Sequence, residues 1–236
     1  MSKCLYCHQR KGKRACPALG GMICSHCCGT NRITNISCPA SCVFLESNDD
    51  YQQKRVGNRF ELERRGFYRQ LLDLGGERAT EIFYVFEALA YRFFQDRRDA
   101  QDAEVLEGIQ SLRQSFSLIH IPDAGLPAFG EELRKEFKVF GERQPLEPHL
   151  VTDVLDQAHT FIQNFSGPGL RSHRFLHGLL GYIRERHPDV AEQLARQTGA
   201  GGRIIIPSGF DYAPDHPSAE PVNRPAPSIN IPGQSS

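Results

Sequence analysis

The chain has 236 residues, 39% of them hydrophobic and 24% charged, and its 28 basic and 28 acidic side chains leave a formal net charge of zero. A mean hydropathy of −0.44, with no apolar run near the roughly 18 residues that a span requires, excludes a membrane-spanning helix. The first residues, MSKCLYCHQRKGKR, hold no apolar stretch of the secretory kind, so a cytoplasmic protein with reduced thiols is expected.

All eight cysteines fall in residues 1–45: Cys4, Cys7, Cys16, Cys24, Cys27, Cys28, Cys38 and Cys42. The two CxxC pairs have the short spacing with which a tight knuckle presents two thiolates to one ion, and eight thiolates complete two tetrahedral sites. The candidate core of this segment is small: Leu5, Tyr6, Leu19, Met22, Ile23, Ile33, Ile36, Val43, Phe44 and Leu45. Below roughly 40 residues a metal or disulfides usually replace the missing core. A zinc-binding module over 1–45 is therefore expected.

Ser47, Asn48, Asp49 and Asp50 offer cap chemistry for a helix running to about Leu74, with Phe60, Leu62, Phe67, Leu71 and Leu72 facing inward and Gly75-Gly76 ending it. Residues 78–96 are apolar nearly all round, which predicts a central helix. A third helix is predicted over 102–116, a weaker one over 127–140, and amphipathic helices over 150–165, 170–186 and from Pro188 to about Gln197. Residues 117–122 read as an extended connector, and Gly167-Pro168-Gly169 as a stop. From Gly199 onward the chain is rich in glycine and proline and reads as a disordered tail. Within it, Ile204–Ile206 reads as an arm that adds a strand to a partner or lies on its own chain. The expected architecture is thus mostly α: a two-zinc module (1–45), a helical body (46–198) and a flexible tail (199–236).

Neighbouring cysteines seldom share a tetrahedral ion, so Cys27 and Cys28 are assigned to different metals. With CxxC pairs acting as units, Cys4, Cys7, Cys24 and Cys27 form one site, and Cys16, Cys28, Cys38 and Cys42 form the other. A single zinc with spare thiols, iron–sulfur ligation and disulfides are the alternatives. All-thiolate donors close the coordination sphere, which argues against a catalytic zinc. His8 and His26 adjoin ligands and read as solvent-facing or supporting residues, with replacement of a cysteine ligand as the alternative.

The interleaved order of these pairs resembles the cross-brace zinc folds, the HIT and MYND fingers above all. The resemblance covers residues 1–45 only: Cys4-x2-Cys7, Ile23-Cys24-Ser25 before Cys27, and the closing Cys38-x3-Cys42 follow that layout, while Cys16-Pro17 with Cys28 stands in place of a further CxxC. It implies a protein-interaction module. The wording CPALGG, ICSHCCG and CPASC is also similar to an N-terminal pattern of uncharacterised bacterial proteins, which implies no particular activity.

Residues 1–45 carry Lys3, Arg10, Lys11, Lys13, Arg14 and Arg32 and no acid. These cations read as counter-charge to the zinc–thiolate clusters, or as a nucleic-acid contact. His173 and His177 share a helix face without a visible third ligand, and Arg171, Arg174, Arg184 and Arg186 read as a solvated face, with phosphate contact as the alternative. Asp99, Asp102, Glu104 and Glu107 read as cap and surface residues. The expected function is that of a non-catalytic adaptor working through a protein partner. A thiol–zinc redox switch and a nucleic-acid-binding protein are the alternatives.

Overall fold

In the computed structural model, which describes residues 2–39, 41–46, 49–116, 127–167 and 172–196, the chain is mostly α-helical with a cysteine-rich N-terminus. The expected cap at 47–48, the connector at 117–122, residues 168–169 of the glycine stop and the tail with its 204–206 arm lie outside the described residues. No helix among the described residues is long and apolar enough to cross a membrane.

The N-terminal segment folds as a short antiparallel pair, β1 (Arg14–Cys16) and β2 (Gly21–Ile23), followed by α1 (Ser25–Asn31) and α2 (Val43–Glu46). Its core differs from the expected one. Leu5, Tyr6, Leu19 and Val43 are exposed, and the buried set is seven of the cysteines with Ile23, Ile33, Ile36 and Leu45. The thiols themselves fill the space that apolar side chains fill elsewhere.

α3 (Asp49–Phe94) is broken where the glycines predict, since Gly76 has φ 61° and ψ −150°, a conformation open essentially to glycine alone. The half beyond the break is central: every residue from Ile82 to Arg92 is buried. On the half before it, Phe60, Phe67, Tyr68 and Leu71 are buried but Leu62 is 68% exposed. Two residues turn a helix by about 200°, so Leu62 points away from the face that Phe60 buries.

The remaining helices are α4 (Asp102–Ser115), α5 (Ala128–Arg143), α6 (Pro148–Ser166), α7 (Arg174–Arg186) and α8 (Pro188–Arg196). α4 pairs with α5, α6 lies across α3 and α4, and α7 runs against α3. The α3–α7 approach is close because Gly57 and Gly181 meet at the crossing: a Cβ on Gly57 would stand 2.8 Å from the Tyr182 nitrogen. Around it an aromatic cluster fills the core. Phe67 stacks on Phe161 at 4.5 Å, and Phe60 meets Phe165 and Phe175 edge-on at 5.5 and 5.6 Å.

Two polar groups inside the body organise it. Asp102, 1% exposed, accepts from Ser166 Oγ at 2.7 Å and from the Phe175 and Leu176 N–H groups at 3.0 and 3.1 Å. Its carboxylate therefore caps the start of α7 from another helix, where the free N–H groups and the helix dipole favour an anion. The capping role expected for Asp102 is thus met on a distant helix, while the expected surface position is replaced by a buried one. Arg64 meets Glu87 in a bidentate pair at 2.8 and 2.7 Å, and Tyr68 donates to Glu87 at 2.6 Å, all three buried.

Candidate metal centre

The first knuckle is a tight turn in which the His8 N–H reaches the Cys4 carbonyl (2.8 Å) and the Cys4 N–H reaches the Arg10 carbonyl (2.8 Å). It is tied to the hairpin by the Leu5 N–H, which donates to the Met22 carbonyl at 2.9 Å. The second knuckle is the entry to α1. Cys24 is the N-cap, with extended φ/ψ, and its sulfur accepts from the Cys27 N–H at 3.4 Å. A cysteine here does what serine or aspartate does at other helix starts, and the same geometry fixes the CxxC spacing.

Together the two knuckles bring Cys4, Cys7, Cys24 and Cys27 to one point, their four Sγ atoms all within 4.8 Å of one another. A tetrahedral zinc with Zn–S bonds of about 2.3 Å spaces its sulfurs about 3.8 Å apart, so the cluster needs only a small contraction to hold an ion. Cys4, Cys24 and Cys27 are buried and Cys7 is half-buried. The four thiols are electrically unequal. Burial pushes Cys4 up, but the backbone N–H groups of Cys24, Cys7 and Tyr6 outweigh it and hold the thiol down at about 6. Burial, then the neighbouring thiols of Cys24, Cys7 and Cys4, push Cys27 up to about 12. A divalent cation would remove this conflict, displacing the proton that burial and the neighbouring thiols hold on Cys27.

Cys16, Cys28, Cys38 and Cys42 are each 6–8% exposed. Burial pushes Cys38 up to about 11, opposed by the Ile33 N–H and reinforced by the charges of Cys42, Cys16 and Cys28, which puts all four in one electrostatic neighbourhood. They are more loosely gathered: among the described residues, the 4.8 Å grouping is that of the first set. Arg14 Nη1 and Arg32 Nη2 both point at Cys28 Sγ, at 3.5 and 3.6 Å. Burial pushes the Cys28 thiol up, and these two guanidiniums overcome it and lower it. Lys3, Arg10, Lys11 and Lys13 stay exposed.

One feature of this second cluster left no sequence signal. Ile33 has φ 62°, a region that a β-branched residue rarely enters. The turn directs its N–H toward Cys38 and its carbonyl to Arg174 Nε (3.0 Å), so strain of about 1–3 kcal/mol joins a ligand loop to the helical body. Arg55 adds a second joint. Its guanidinium donates to the carbonyls of Gly29 (2.8 Å), Thr30 (2.8 Å) and Arg32 (3.2 Å) and to Thr34 Oγ1 (2.9 Å), placing a cation at the C-terminal end of α1.

Compared with known proteins, the chain matches no family model, no curated protein and no solved structure. The chemistry of the cluster therefore carries the functional argument.

Proposed function

We propose that this chain is a zinc-binding, non-catalytic interaction protein whose N-terminal module is held in shape by metal. The convergence of Cys4, Cys7, Cys24 and Cys27 carries the reading. Four soft thiolates suit zinc, and together they fill a tetrahedron and leave no position for a reacting water. A second zinc is held by Cys16, Cys28, Cys38 and Cys42. Supporting it are the burial of all four thiols, their mutual electrostatic influence around Cys38 and the two arginines that favour the Cys28 thiolate.

The partner is a protein, met by the module's outer surface. Leu5, Tyr6 and Leu19 are 47, 41 and 38% exposed on the knuckle and the hairpin turn, a concentration of apolar groups on a segment otherwise short of them. The likeness to cross-brace fingers points the same way. A nucleic-acid reading draws on Lys3, Arg10, Lys11 and Lys13, since the Lys3–Lys11 bridge brings two of these cations side by side.

Native mass spectrometry of the reduced full-length protein tests the metal reading. Two zincs are expected, with Cys24→Ser and Cys16→Ser each losing a different one. One zinc with Cys16→Ser silent would remove the second site, and none would remove both. Capture with the zinc-loaded full chain tests the partner reading: a Leu5→Asp/Tyr6→Asp/Leu19→Asp variant should lose the retained protein while keeping its zinc. Steep salt-dependent binding to nucleic acid, weakened by Lys11→Ala/Lys13→Ala, would favour the other reading instead.

A further inference from the structure

A cavity of about 480 Å³ lies where the cysteine-rich segment meets the helical body. One wall is a single face of α7, reading His173, Leu176, His177, Leu180 and Arg184, positions three or four residues apart. The facing wall is the stretch after α3, from Gln95 to Ala100, and Ser41 and Leu45 border it from the cysteine-rich side. Two hydrogen bonds lay that stretch along α7: Arg184 Nη2 donates to the Gln95 carbonyl at 2.8 Å, and His173 Nδ1 meets the Ala100 carbonyl at 2.5 Å. Arg184 and His173 thus mark opposite ends of a slot, and eleven residues of helix separate them by about 16 Å.

The chemistry differs along its length. Leu45, Leu176 and Leu180, all nearly buried, supply an apolar lining. Arg184 is held in place by neutral acceptors, Gln53 Oε1 (2.7 Å) and the Gln95 carbonyl, so no carboxylate among them cancels its charge. Arg98, also in the lining, has no ion-pair or hydrogen-bond partner among the described residues. Arg97 by contrast is paired with Glu104 at 2.8 Å. The acid in the lining is Asp96, which is exposed. Toward the other end, His173 is buried and its Nδ1 faces a carbonyl, an acceptor only, so Nδ1 is the donor. His177 is fixed in the same way, with Nδ1 at 2.9 Å from the His173 carbonyl.

We propose that this slot binds a small organic phosphate monoester. Its phosphate sits between Arg98 and Arg184, and its apolar body lies along Leu45, Leu176 and Leu180 toward the histidines. A dianion matches two guanidiniums that are in no ion pair among the described residues, with the exposed Asp96 as the one acid in the lining, and arginine forks recognise phosphate oxygens in pairs. The volume is in the range of small-molecule sites, and the mostly polar lining with one leucine strip suits a charged ligand with a small apolar part. Ser41 and Leu45 tie one border of the slot to the cysteine-rich segment, so the metal content of each sample is measured in parallel and loss of the module and loss of the slot are told apart.

Calorimetric titration of the full-length, metal-loaded protein with 1-naphthyl phosphate tests it, with inorganic phosphate and 1-naphthol as the two halves of the probe. Saturable 1:1 binding of the intact probe is expected, tighter than either half. Arg98→Gln removes an exposed, unpartnered side chain, so folding is unaffected, and it should weaken binding roughly tenfold, the size of one charge-assisted hydrogen bond. Asp96→Asn should tighten it. Absence of saturable binding, equal affinity for 1-naphthol, or an unchanged affinity in Arg98→Gln would each overturn the proposal.

Discussion

Gly181 lies against the backbone of Gln53 so closely that a Cβ built on it would stand 2.1 Å from the Gln53 carbonyl oxygen. This contact sets the distance between α3 and α7, and with it the pairing of Arg184 with Gln53 and of Arg64 with Tyr182 (3.3 Å). The obstacle is backbone, not the tip of a flexible side chain, so the helices themselves must part. Gly181→Ala is expected to destabilise the protein by about 1–3 kcal/mol, the range for overpacking. Urea unfolding measures it. Gly66, with nothing within 4 Å of its would-be Cβ and inside a helix, is the control: Gly66→Ala should leave stability unchanged or raise it by a few tenths of a kcal/mol to about 1 kcal/mol.

Removing Glu87 leaves Arg64 charged and buried among Tyr68 and Tyr182, with its guanidinium 4.0 Å from the Tyr68 ring centre. Glu87→Leu should cost about 3–5 kcal/mol, whereas the double variant Glu87→Leu/Arg64→Met should recover much of that loss. A double-mutant cycle by chemical denaturation checks both figures. Equal losses in the single and double variants would show that packing, not the stranded charge, sets the cost.

Asp102→Ala is expected to cost about 1–3 kcal/mol, because the Phe175 and Leu176 N–H groups and Ser166 Oγ lose their shared acceptor in a buried site. Hydrogen exchange should show the first turn of α7 opening more than the rest of the body. Asp102→Asn keeps one acceptor oxygen and should lose less.

The thiols predict a pH signature of the metal-free protein. Cys27 at about 12 and Cys38 at about 11 are raised above the ordinary thiol value of about 8.5, so the stability they contribute is full below that value and is lost as pH rises through 11–12. Cys4, lowered to about 6, works in the opposite sense: its contribution is present above the ordinary value and is lost as pH falls through 6. Metal-free protein should therefore be most stable near pH 8–9 and weaken on either side. Zinc-bound thiolates have no proton left to lose, so the loaded protein should show no added alkaline weakening from these groups. Tyr68, pushed well above its ordinary value by burial and also by the Glu87 charge, adds an alkaline loss common to both forms. The difference between urea melts with and without metal isolates the thiols.

Much of the architecture was legible in the residues. The broken first helix, the apolar centre at 82–91, the helices from 102 onward and the joining of Cys4, Cys7, Cys24 and Cys27 all follow from local rules: helical periodicity, glycine and proline punctuation, and the reach of a CxxC knuckle. Where the structure departs from the sequence pattern, the deciding quantity is not local. Hydrophobicity alone places Leu62 in the core, yet its angle around α3 relative to Phe60 puts it in solvent. Leu5, Tyr6 and Leu19 were expected inside a small core that the buried sulfurs occupy instead.

By itself, then, the sequence determined the helical class, the break at Gly75-Gly76 and a thiol-rich segment without the apolar mass to fold as a conventional core, because each depends on neighbours within a few residues. The tertiary structure alone decided that Arg14 and Arg32 face Cys28, that Asp102 caps a helix some 73 residues further on, that Ile33 takes a left-handed turn to link Cys38 with Arg174, and that α7 and the stretch after α3 enclose a slot. Those outcomes rest on contacts between distant parts of the chain. Whether a charge ends in solvent, on a sulfur or beneath a helix is set by the packing that brings such parts together, and no local pattern encodes it.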